Sequence, residues 1–258
     1  MSTTLVVVAC IVMGLVIGSF LTVVVDRVPR GASIVQPPSA CGACGARLTV
    51  LDLVPVGSWF ALRGKCRHCG NPIGYEPLII EISNATIFVL FGLKFGADAV
   101  LPAFWILGAA LVALVWIDLH EFRLPREITY TAFVLGLVGL GLAALIDQEG
   151  EHFWKALVGA GLALAIMGLI YLGSRGQMGD GDVRLAPLLG LYMGYLNLGT
   201  VPVGLFLGFL IGAIVGVVAM ALGSAGRKTA LPFGPFLALG TVLAIFIGPQ
   251  LVDLVWQG

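Results

Sequence analysis

The chain has 258 residues, 59% of them hydrophobic and only 11% charged, and its 14 Lys and Arg balance 14 Asp and Glu. Soluble domains carry roughly 25% charged residues, so this composition is too poor in charge to coat a water-facing surface of that size. It excludes a soluble enzyme, a disordered chain and an electrostatic nucleic-acid binder, and leaves an all-α polytopic membrane protein in contact with the lipid bilayer.

A membrane span needs about 20 mostly apolar residues. The first such stretch is 4–25, with no Lys or Arg before it and no small-residue cleavage site after it, so it reads as a retained helix and not a signal peptide. The next are 77–95, 99–117, 128–146 and 153–173. The stretch 185–198 is apolar but short, 202–222 follows it, and 231–256 is interrupted by Pro232 and Pro235. About eight transmembrane helices are expected, with a re-entrant unit around 197–202 as the alternative to two separate crossings.

The basic residues sort by side. Arg27, Arg30, Arg47, Arg63, Lys65 and Arg67 follow the first span, Arg123 and Arg126 the third, Arg175 and Arg184 the fifth, and Arg227 and Lys228 the seventh. Only Lys94 and Lys155 fall on the opposite side, with Asp98, Asp147, Glu149, Glu151 and Asp253. Cytoplasmic loops carry the excess of Lys and Arg, so the basic loops face the cytoplasm and both termini lie outside.

The one long polar stretch lies between the first two spans. It divides the chain into a first helix (1–26), a cytoplasmic loop domain (27–76) and a membrane domain (77–258). The loop contains Cys41-Gly-Ala-Cys44 and Cys66-Arg-His-Cys69. Two C-x-x-C pairs at about this separation suit a zinc ribbon. Four thiolates close a tetrahedral zinc site and leave no position for a catalytic water, so the metal is structural. Two disulfides are the rival pairing, disfavoured in a reducing cytoplasm. A loop this small and polar needs a metal to fold. Cys10 lies inside the first span and reads as a packing residue.

Ionisable groups at membrane depth are costly and functional by default. Asp118 ends the third span, and Asp182 precedes the sixth within Gly179-Asp180-Gly181-Asp182. Two crossings separate them, so both lie at the same face. Paired carboxylates in a low-dielectric site share one proton, which is what aspartyl proteolysis requires. Gly179 and Gly181 would let a substrate backbone approach. The structural rivals are an N-cap role for Asp182 and snorkelling for Asp118. A proton-coupled transporter would also place acids in its helices.

These segments resemble, in order along the chain, the type IV prepilin peptidases, membrane aspartic proteases with a Gly-x-Gly-Asp motif. The resemblance runs through residues 18–29, 37–41, 51–66 and 75–81, Asp118 with Leu124-Pro125, the Gly179–Asp182 motif, and 232–240. Thr22 stands where the family often has Asn, Arg184 where it has Lys, and Arg126 where an acid is common. The resemblance implies that Asp118 and Asp182 are the catalytic pair and that Asp180 sits at the variable position of the motif. It implies type IV pilin or pseudopilin precursors as substrates, cleaved at the cytoplasmic face of a bacterial inner membrane. Members with the cysteine loop also N-methylate the new terminus with S-adenosylmethionine, which would make 27–76 the methyltransferase part and Glu81 the candidate for binding the amine or cofactor. Asp52 and Glu76 are weaker candidates. A leader peptidase without methylation is the alternative within the family.

Gly204, Gly208, Gly212 and Gly216 form a small-residue stripe suited to close helix packing or dimerisation. Trp59, Trp105, Trp116, Trp154 and Trp256 read as interface anchors.

Overall fold

The computed structural model describes residues 2–174, 178–223 and 231–256, with backbone alone at 249, 251 and 253–256. Arg175, Arg227 and Lys228, and the side chains of Asp253 and Trp256, therefore lie outside the described residues. The described residues are helical, apart from loops and two isolated bridges in the cysteine loop. The helices are α1 (Thr3–Arg27), a short α2 (Gly57–Ala61), α3 (Glu76–Phe95), α4 (Leu101–Glu121), α5 (Arg126–Ile146), α6 (Gly150–Gly173), α7 (Asp180–Leu196), α8 (Thr200–Ala221) and α9 (Gly234–Trp256). A helix stands at each of the eight expected apolar stretches. Six of them, α1, α3, α4, α5, α6 and α8, are long and apolar enough to cross a membrane, and Gly234–Gly248 of α9 is a shorter apolar helix. Helices are the natural outcome, because a segment in lipid must satisfy its own backbone hydrogen bonds.

The α7 helix begins at Asp180, five residues before the expected 185. The two acids of the motif suit the positive end of a helix, which extends the helix back over them. Gly179 is the N-cap residue, which leaves Asp182 inside the first turn and not in the capping position weighed as its structural role. Asn197 turns the chain into α8: its Oδ1 accepts the N–H of Gly199 at 2.8 Å, and the Thr200 hydroxyl donates to the carbonyl of Met193 at 2.6 Å.

The chain forms two compact units, Met1–Trp116 and Ile117–Gly258, the division falling within α4. In the first, α1 and α3 cross at small residues. A Cβ on Gly14 would stand 2.6 Å from Cα of Ala85, and the Asn84 amide donates to the Gly14 carbonyl at 2.7 Å. Close backbone approach joined by a side-chain amide is how helices associate in lipid, where apolar burial alone supplies little drive. Phe88 stacks on Trp105 at 5.3 Å, and Phe104 packs against Phe91 and Phe95, which brings the first part of α4 onto α3.

In the second unit α7 is the central helix, in contact with α5, α6, α8 and α9. It meets α6 where Gly190 and Gly194 oppose Gly159, and α8 meets α9 along the glycine stripe. Gly208 lies against Leu237, and Gly212 against Phe233 and Phe236. The stripe thus packs α9 within the chain.

Candidate functional site

The second unit holds both acids of the expected pair. Asp118 is 5% exposed near the end of α4, and Asp182 is 7% exposed in the first turn of α7. The two carboxylates lie within electrostatic reach of each other. Asp180 points away into an ion pair with Arg184, and its side chain is 69% exposed.

Three local features assemble this site. Just beyond α4, Phe122 adopts φ +54, uncommon for a bulky residue, and its N–H caps the helix on the Asp118 carbonyl at 3.0 Å. That turn brings Leu124 back against α7 and α9. A Cβ on Gly181 would lie 3.1 Å from Leu124 Cβ, and one on Gly234 would lie 3.0 Å from Leu124 Cδ2 and 2.8 Å from Asp118 Oδ2. Pro125 then occupies the N-cap of α5. The Leu-Pro pair thus has a packing reason: Leu124 wedges between the glycines that flank both carboxylates. Beside Gly179 the nearest group is Asp182 Oδ2, 3.3 Å from where a Cβ would sit.

The start of α9 supplies what sequence reading missed. The backbone N–H of Gly234 donates to Asp118 Oδ2 at 2.9 Å in a buried contact. Pro232 and Pro235 have no N–H to offer. The available signal was that a buried carboxylate needs donors and that a Gly-Pro step at a helix start leaves a free amide.

The first unit holds the four cysteines. Their sulfurs all lie within 4.8 Å of one another, with Cys41 Sγ 3.9 Å from Cys69 Sγ. Four thiolates at about 2.3 Å from a tetrahedral zinc stand roughly 3.8 Å apart, so the donor set fits zinc, and all four cysteines are free thiols rather than disulfides. The two halves repeat one design. Cys41 N–H bonds the Ala46 carbonyl and Gly45 N–H bonds the Cys41 carbonyl; Cys66 with Asn71, and Gly70 with Cys66, do the same. Gly45 and Gly70 have φ of +70 and +71, so each knuckle needs glycine after its second cysteine. Backbone N–H groups of Cys44 and Ala43 pull the Cys41 thiol down to about 6, and those of Cys69 and His68 lower Cys66. Both effects favour the thiolates that a metal requires, whereas at Cys69, against the pull of the Asn71 N–H, burial and then Cys44, Cys66 and Cys41 push the thiol up to about 11. His68 is exposed.

Asp52 ties the loop together. Its Oδ2 accepts the Thr49 hydroxyl and N–H at 2.6 and 3.0 Å, and its Oδ1 accepts Arg67 at 2.7 Å. The Thr49 hydroxyl, then its N–H and Arg67, hold this carboxyl far below the usual range. Glu81 is 7% exposed on α3 and accepts the N–H of Val56 at Oε2, at 2.7 Å. Glu76, at the start of α3, is exposed.

The family model described as Bacterial Peptidase A24 N-terminal domain matches residues 12–95, and that of the Type IV leader peptidase family matches residues 105–217. A Prepilin leader peptidase/N-methyltransferase of Burkholderia pseudomallei (strain 1026b) is 34% identical, over 92% of this chain and 84% of its own length. Proteins of the same name from Pseudomonas aeruginosa and Bacillus subtilis (strain 168) are 32% and 29% identical. The first of these alignments covers 96% of this chain and 92% of the relative, the second 94% of each. No solved structure matches the chain.

Proposed function

Because the chain belongs to the type IV leader peptidase family, we propose that it is a membrane aspartic endopeptidase that removes the leader of prepilins and N-methylates the new terminus. The single observation that carries the peptidase site is the burial of Asp118 and Asp182 together, each beside a bare glycine. One carboxylate takes a proton from water while the other, protonated, donates to the scissile carbonyl. The proton then passes to the leaving nitrogen as the C–N bond breaks. Asp118 Oδ2 is engaged by Gly234, so Oδ1 is the oxygen that meets the water. Substrate backbone passes Gly179, where the nearest group is the Asp182 carboxylate; the approach expected at Gly181 is closed by Leu124, which packs against it.

Zinc is structural in this reading, held by Cys41, Cys44, Cys66 and Cys69, and supplies no chemistry to either reaction. The loop domain 27–76 with Glu81 is the methyltransferase part, Glu81 binding the amine or the methyl donor, and S-adenosylmethionine is the donor. The substrates are type IV pilin or pseudopilin precursors. The sorting of Lys and Arg supports eight crossings in a bacterial inner membrane, with the termini outside and the sites toward the cytoplasm. All three relatives are named for both activities, so neither the peptidase without methylation nor the transporter is kept.

The test is cleavage of a pilin-like precursor in detergent by the wild type, Asp118→Ala and Asp182→Ala, followed by incubation with labelled S-adenosylmethionine. Cleavage at the normal rate by both variants would overturn the peptidase site; absence of label on the wild-type product would overturn the methyltransferase.

A further inference from the structure

Peptide hydrolysis by Asp118 and Asp182 makes no use of a cavity of about 340 Å³ in the Met1–Trp116 unit. Its lining includes Ser19 and Thr22 of α1, Glu81 of α3, Trp59 and Leu62, and, from the second cysteine knuckle, Arg67 and His68. Its size falls in the range of sites for small organic ligands, roughly 300–1,000 Å³.

Glu81 is the unusual member of this lining. Its carboxylate accepts the uncharged Val56 N–H at Oε2, while the Ser19 hydroxyl nearby donates to the Leu53 carbonyl at 3.5 Å. Among the described residues, no Lys, Arg or His comes within ion-pair distance of it. Asp52, the other acid of the cavity, already has Arg67. A buried carboxylate without a counter-ion is costly, and here the fold adds strain to hold it. Val56 is β-branched yet has φ +59, with the Gly57 N–H bonded to the Pro55 carbonyl at 2.5 Å. Such a residue leaves its favoured backbone region only where surrounding structure compels it. The result fixes Oε2 and leaves Oε1 for a cationic ligand.

We propose that this cavity holds S-adenosylmethionine, with Glu81 as the counter-charge to its sulfonium and Trp59 as the wall for its adenine. The proposal rests on the N-methyltransferase reading above. Both partners in N-methylation carry a positive centre, but they differ in one respect. The acceptor amine reacts only when deprotonated, and a bare carboxylate beside it would keep it protonated. The sulfonium is cationic at every pH. When bound, the donor supplies a methyl group, and its C–S electron pair stays on sulfur as the neutral thioether of S-adenosylhomocysteine.

That loss of charge makes the test specific. Full-length, zinc-loaded protein in detergent is titrated calorimetrically with S-adenosylmethionine and with S-adenosylhomocysteine. The wild type binds the sulfonium form more tightly. Glu81→Gln weakens it about tenfold, equivalent to about 1.4 kcal/mol, and leaves the thioether within about twofold. Glu81→Asp retains part of the preference, and Leu62→Trp, which fills the cavity, abolishes binding of both. The ratio of the two affinities is insensitive to any misfolded fraction, which removes sites without changing the preference of the rest. An unchanged ratio in Glu81→Gln, equal losses of both ligands, or full binding by Leu62→Trp would each overturn the proposal. A wild type that transfers no methyl group would instead overturn the methyltransferase reading itself.

Discussion

Asp118 Oδ2 accepts the backbone N–H of Gly234 at 2.9 Å, across 116 residues of chain. The carboxylate that ends α4 is thereby held at the start of α9, a helix terminus whose amides favour negative charge. The contact leaves no room for a side chain at 234, where a Cβ would come 2.8 Å from the same oxygen.

Gly234→Ala is therefore expected to slow precursor cleavage about ten- to a hundredfold, the range given by loss of one hydrogen bond to a charged group, about 1.5–3 kcal/mol. The loss falls on kcat, with KM for the precursor little changed, because the contact orients a reacting group and does not bind substrate. Methylation of a pre-cleaved peptide by the same variant stays at the wild-type rate. Steady-state kinetics on both substrates check this.

Asp118→Asn and Asp182→Asn should each lower cleavage by about a thousandfold or more, since groups that act as a unit fail together. Asp180→Asn should stay within about twofold of wild type, because its partner Arg184 and its exposure make it a surface pair. Inactivation by Asp180→Asn with activity retained by Asp182→Asn would show that the motif has been read one acid out of place.

Zinc content should be close to one equivalent. Cys41→Ser or Cys66→Ser should lower it and make residues 27–76 susceptible to protease, since a small metal-held loop loses its folding energy with its ligands. Elemental analysis and limited proteolysis measure both. Less than about half an equivalent in the purified wild type would sink the zinc assignment.

Asp52→Asn should loosen the same loop, detected as faster amide hydrogen exchange around Thr49 and Arg67. The folded state holds the Asp52 carboxyl below its ordinary value of 3.8. Its contribution is thus complete above that value and is lost only as pH falls below it. The variant should therefore differ from wild type equally at pH about 6 and about 8; a difference that grows across that interval would rule out this cause.

Gly14→Leu should prevent α1 from docking on α3, because its Cβ would begin 2.6 Å from a backbone atom of Ala85 that has no freedom to withdraw. Asn84→Ala should be mild, about 0.5–1 kcal/mol, as buried hydrogen bonds between membrane helices are weak in net terms. Thermal unfolding of the two variants in detergent distinguishes these magnitudes.

Reading hydropathy along the chain located every long helix among the described residues, and the end most displaced, that of α7, moved for a local electrostatic reason: Asp180 and Asp182 extend the helix toward its own N-terminus. The two C-x-x-C pairs were equally legible, but the need for glycine after each second cysteine, at Gly45 and Gly70, emerged only with their positive φ. Leu124 was recognised as part of a pattern, but its role as the wedge between Gly181 and Gly234 was not.

By itself, then, the sequence determined the helices, the sorting of Lys and Arg into alternate loops, the cysteine donor set and the candidate acids. Each is a property of one segment: a helix in lipid must satisfy its own backbone, and the ligands of a knuckle lie a few residues apart. Only the tertiary structure decided that Gly234 holds Asp118, that Val56 holds Glu81, and that, among the described residues, no Lys, Arg or His forms an ion pair with Glu81. Those relationships join segments as far as 116 residues apart, through single backbone amides that every residue but proline carries. A donor of that kind leaves no mark in composition, spacing or periodicity, and packing alone selects which amide meets which acid.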